Sequence, residues 1–87
     1  MFNIKKQITT QKHIIYFGIL LIIPDTIKYI VTDELGYVLG FSGEPIIPSY
    51  SAENTRPTWK FQNQYPIQLT KIQFNGDWKK SLMKIPN

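Results

Sequence analysis

At 87 residues and 10.2 kDa the chain has the length of one domain, and a domain this small buries only about 60–65% of its unfolded surface, so the core is thin. Hydrophobic residues at 43% and aromatics at 14% exclude a disordered chain, the absence of cysteine excludes a disulfide scaffold and any thiolate metal site, and a single histidine, His13, excludes multi-histidine metal centres. The net charge of +4 is unevenly spread: Lys5, Lys6 and Lys12 lead without an acid, Asp25, Asp33, Glu34, Glu44 and Glu53 fill the middle, and Arg56, Lys60, Lys71, Lys79, Lys80 and Lys84 dominate the end. Two signs of patch suit self-association or an anionic ligand better than bulk nucleic acid.

Residues 1–12 are polar and basic and read as a mobile arm, with residues 13–87 as the domain proper. The run Ile14 to Ile23 is uncharged. It is shorter than the roughly 20 residues a membrane helix needs, so no membrane partner is expected. An export-signal core would fit its length, but Pro24-Asp25-Thr26 follows where small residues should, and the Ile, Tyr and Phe content predicts one buried core strand.

The strongest local signal is a hairpin over residues 27–42. Ile27, Tyr29 and Val31 alternate on one side of Asp33-Glu34-Leu35-Gly36, and Tyr37, Leu39 and Phe41 on the other, which predicts a single core face for these side chains. Asp at the first turn position and Gly at the fourth fit a type I turn closed by a left-handed glycine bulge. Ile30 and Val38 occupy the opposite face, which makes this pair central in its sheet. Ile46-Ile47 reads as a proline-bounded edge strand, residues 48–57 as a polar loop, Trp59-Lys60-Phe61 as a further strand, and Ile67 to Phe74 as a last one. After Asn75-Gly76, Asp77 is a capping residue, and Trp78, Leu82 and Ile85 fall at helical spacing. The expected fold is therefore α+β: an antiparallel four- to five-stranded meander sheet with one short C-terminal helix.

Catalysis finds no support in the residues. Asp33 and Glu34 are adjacent acids in a turn that favours Asp for its own backbone bonding, and His13 has no partner that would make it a base or a ligand. The chain is expected to be no enzyme, with no catalytic residue, metal or cofactor. Binding chemistry is better supplied. Tyr50, Arg56, Trp59, Lys60, Phe61 and Tyr65 interleave aromatics with cations, a pattern that stacks bases and neutralises phosphates. The same alternation arises in any half-buried strand, with Trp59 and Phe61 as core and Arg56 and Lys60 as its wet face.

Three ordered blocks add a resemblance. Residues 25–36 (DTIKYIVTDELG), Glu44-Pro45 and Asp77-Trp78-Lys79-Lys80-Ser81-Leu82 resemble a pattern in small bacteriophage proteins of unknown function. In those proteins a Pro-led segment enters a Y-I-A-x-D-x-D-G hairpin, K/E-P follows one strand later, and D-W-x-x-S-L closes the chain. Leu35 stands where that pattern has an acid, and the Trp expected after Glu-Pro comes only at Trp59. The resemblance implies a phage accessory protein in the host bacterium's cytoplasm and no catalytic residues.

Two functions follow as expectations. One is a non-catalytic anti-defence inhibitor that binds a host bacterial protein, with Asp33 and Glu34 in the acidic middle. The other is a homo-oligomeric sponge for a small anionic nucleotide, with Arg56 and Lys60 on phosphate and Tyr50 or Trp59 on the base. Nucleic-acid binding by the basic ends is a weaker third, recognisable by its steep salt dependence.

Overall fold

The computed structural model describes residues 10–48 and 57–86. Among the described residues, six strands and one short helical turn follow in order: β1 (Gln11–Tyr16), β2 (Ile19–Pro24), β3 (Tyr29–Thr32), β4 (Tyr37–Phe41), β5 (Ile67–Lys71), a 3₁₀ turn (Trp78–Lys80) and β6 (Met83–Lys84). β1 and β2 form a two-stranded antiparallel sheet, and the other four form a second sheet in the order β5-β4-β3-β6. β3, β4 and β5 make the expected meander, and β6 returns to pair antiparallel with the far side of β3.

The β3–β4 hairpin follows its sequence signal. The Gly36 amide donates to the Asp33 carbonyl, the Asp33 amide to the Tyr37 carbonyl, and Gly36 has φ of 92°. The pair is covered on both faces, as the positions of Ile30 and Val38 required. Ile30 and Val38 pack with Tyr16, Leu21 and Ile23 of the β1–β2 layer and with Ile85. Val31, Leu39 and Phe41 pack on the other face with Trp59, flanked by Tyr29 and Tyr37. Ile27 is a correction: it joins the Ile30 face, because the alternation starts only at Tyr29, where β3 begins.

The C-terminal helix is also corrected, and among the described residues the fold is antiparallel β with only a 3₁₀ turn rather than α+β. Asp77 caps as expected, its carboxylate accepting from the Lys79 amide at 3.0 Å, but the helical turn lasts three residues. Beyond it the apolar residues alternate rather than recur at helical spacing. Trp78 and Leu82 pack against the Val31 face, while Met83 and Ile85 pack against the Ile30 face, so the chain enters the sheet edge.

The run Ile14 to Ile23 is two strands rather than one. It reverses at Phe17-Gly18, with φ of 46° and 80°, so that Tyr16 pairs with Ile19 and His13 with Ile22. Two successive positive φ values are the signature of the tight hairpin turn whose twist matches its strands. Thr10 continues the pairing by accepting the Asp25 amide at 3.0 Å, so Gln11 and Lys12, read as the end of an arm, lie in strand β1; residues 1–9 lie outside the described residues. The two short strands expected at 46–47 and 59–61 reduce to a single bridge between Ile46 and Lys60 and a tight turn joining Phe61 to Gln64.

Candidate binding surfaces

The β3–β4 tip is built by its own turn. One Asp33 carboxylate oxygen, Oδ1, accepts from the Leu35 and Tyr37 amides, each at 2.9 Å, while the Ile72 amide donates to the Gly36 carbonyl at 2.9 Å. Asp33 is thereby committed to the backbone, and what the tip presents to solvent is Glu34 together with Leu35, which is 51% exposed. Beside the tip lies an open groove of about 550 Å³ whose far wall includes Lys71, Phe74 and Trp78. Lys71 Nζ is held there 4.9 Å from the centre of the Tyr37 ring. A smaller hollow of about 160 Å³ lies between the same tip and Pro57 and Thr58.

The second surface surrounds residues 58–66. Of the side chains expected to act together, Tyr50 and Arg56 lie outside the described residues. Trp59 is 7% exposed and its indole N–H donates to the Thr32 carbonyl at 3.0 Å, so the ring belongs to the core, with Phe61 packed beside it. Lys60 is exposed and bridges Ile46 through its backbone. A groove of about 430 Å³ is bordered by Lys60, Gln62, Asn63, Gln64 and Tyr65, which is 95% exposed.

Sequence reasoning missed two features. The first is a buried polar knot. Tyr16 Oη lies 2.7 Å from Thr32 Oγ1 and donates to the Ser81 carbonyl at 3.1 Å. Ser81 Oγ accepts the Thr32 amide at 2.7 Å and donates to the Trp78 carbonyl at 2.6 Å. Among the described residues no buried side-chain N or O atom lacks a partner. Burial pushes the Tyr16 hydroxyl up from its ordinary value, and the bonds to Thr32 and Ser81 oppose that rise. The second feature is the outer face of β1–β2, where Ile15, Leu20 and Ile22 are each 56–60% exposed. The sequence signal for it was present: a run apolar at every position has no polar face to give to water.

Among the described residues no helix is long and apolar enough to cross a membrane. No family model, curated protein or solved structure matches the chain.

Proposed function

We propose that the chain is a non-catalytic binding protein that inhibits a host bacterial protein, in the manner of a phage accessory factor acting against defence. The observation that supports this reading is the β3–β4 tip, a turn held by five hydrogen bonds that leaves Glu34 and Leu35 projecting. A loop fixed before binding loses little conformational freedom on docking, which raises affinity without added area. One carboxylate beside one aliphatic side chain fits a basic surface with an apolar socket.

The test is protection of an infecting phage in a defended bacterial host that expresses the chain. Glu34→Lys combined with Leu35→Ser should abolish protection and leave the melting temperature within about 2 °C, since neither side chain holds the turn and exposed substitutions are close to neutral. Full protection by the folded double variant would remove the tip from the mechanism.

A second reading, a sponge for an anionic nucleotide, draws on Lys60 and Tyr65 bordering, with Gln62 and Asn63, one groove of a size suited to a small ligand. Calorimetry with purified nucleotides should then show heat that Lys60→Ala and Tyr65→Ala remove, and a titration without heat across mono- and cyclic dinucleotides would end that reading.

A further inference from the structure

We propose that the outer face of the β1–β2 hairpin is a two-fold interface between two copies of this chain. Side chains at alternate positions divide between the two faces of this hairpin. Ile14, Tyr16, Ile19, Leu21 and Ile23 turn inward onto the four-stranded sheet. Ile15 and Leu20, paired across the ladder, point outward with Ile22, while the half-exposed Phe17 ring at the turn lies edge-on to Tyr16 and Phe74. An antiparallel sheet with one wet side carries polar residues there; apolar residues on both sides mark strands covered twice. The four-stranded sheet supplies the first cover.

A second copy fits as the other cover for three reasons. The outward pairs carry one titratable side chain, His13 opposite Ile22, so two such faces meet without like-charge repulsion between fixed charges. Lys12 is turned the other way, its Nζ 3.5 Å from the Asp25 carbonyl. The outward side chains of Gln11, His13, Ile15, Leu20 and Ile22 present on the order of 500 Å² per copy, so stacking two removes roughly 1,000 Å², the size at which specific association begins. Two hairpins of identical twist also stack with aligned strands about 10 Å apart, the ordinary arrangement of packed sheets. The interface is isologous, each copy offering the same patch to the other. It is separate from the β3–β4 tip and does not depend on what the tip binds.

Sedimentation of the full chain from about 1 to 200 μM should show a dimer whose dissociation constant rises at least about tenfold in Leu20→Lys, the equivalent of about 1.4 kcal/mol. Leu20 lies outside the buried clusters, so that variant should melt as the parent does. Because the chain has no cysteine, Ile15→Cys should also be joined to its own kind by a short bis-maleimide that spans the roughly 10 Å between stacked sheets, while Tyr65→Cys, exposed elsewhere, should not. A parent that stays monomeric at 200 μM, a Leu20→Lys variant that dimerises undiminished, or equal cross-linking at both positions would each overturn the interface. The Cys pair settles the matter even if Leu20→Lys fails to fold.

Discussion

Replacing Ser81 by alanine removes one oxygen and should cost a large share of the stability of this domain. The register of β3 with β6 pairs Tyr29 with Lys84 and Ile30 with Met83, and the Ile85 amide donates to the Lys28 carbonyl at 2.9 Å. Continued in step, that ladder brings Ser81 opposite Thr32, where the backbone has already turned into the 3₁₀ segment. The Ser81 hydroxyl stands in for the missing ladder carbonyl and takes the Thr32 amide at 2.7 Å. Thr32 and Ser81 are both fully buried, so alanine leaves the Thr32 N–H without an acceptor and without water. An orphaned buried donor costs about 1–3 kcal/mol, and losing the bond to the Trp78 carbonyl brings the expected total to about 2–3 kcal/mol. A chain of this length holds about 4–13 kcal/mol in all. At about 4–8 °C per kcal/mol, the melting temperature should fall by roughly 10–20 °C. Ser42→Ala, which removes an exposed hydroxyl bonded to Gln64, is the control and should change stability by less than about 0.5 kcal/mol. Thermal melts of the three proteins decide the matter; a fall under about 3 °C in Ser81→Ala would refute the ladder argument.

Gly36→Val should destabilise by about 2–4 kcal/mol in a chemical denaturation curve, because its φ of 92° is strained for any side chain and a Cβ there would meet the Ile72 carbonyl oxygen. Leu39→Ala should cost about 2–3 kcal/mol by the same assay, the lower part of the usual range because Leu39 borders the groove by Trp59 and its site is not fully enclosed. The raised pKa of Tyr16 means that the unfolded chain releases its proton first as pH rises through about 10. Its contribution is complete below that pH and is lost as pH climbs toward the folded value, so denaturation midpoints should fall in alkali, and less steeply in Tyr16→Phe.

The β3–β4 hairpin was legible because two independent signals, alternation and turn chemistry, agreed on the same residues. The β1–β2 hairpin had only one. Phe17 carries φ of 46°, a conformation that bulky side chains seldom adopt, and nothing in Phe-Gly announces a turn as Asn-Gly would. Its ring meets its neighbour Tyr16 and the distant Phe74 edge-on at 4.8 and 5.0 Å, so a contact distant in sequence helps to offset a local strain that a local reading counts against it. At the C-terminus Trp78, Leu82 and Ile85 fit a helix by spacing, yet they serve opposite faces of a sheet, a division visible only once β3 is in place. For the candidate sites, Asp33 and Glu34 were located correctly at a turn, but only the hydrogen bonds showed that Asp33 is committed to the backbone while Glu34 is free to project. Trp59 shows the limit of alternation, which gives two faces without saying which is wet.

The knot at Thr32 has a kinetic consequence. Tyr16 and Ser81 stand 65 positions apart in the chain, and Thr32 and Ser81 are separated by 49. Loops of that length must close before these bonds return anything, which places the domain among slowly folding, non-local topologies. During synthesis the β1–β2 and β3–β4 hairpins emerge first, but the Thr32 amide has no acceptor and the Ile30 face lacks Ile85 until residues 81–85 leave the ribosome. A chain stopped before Ser81 would carry both hairpins and close neither, leaving the edge of β3 open to pairing with any strand it meets. The segment from Ser81 to Ile85 thus acts as the latch of the fold, and the domain closes only once those residues have left the ribosome.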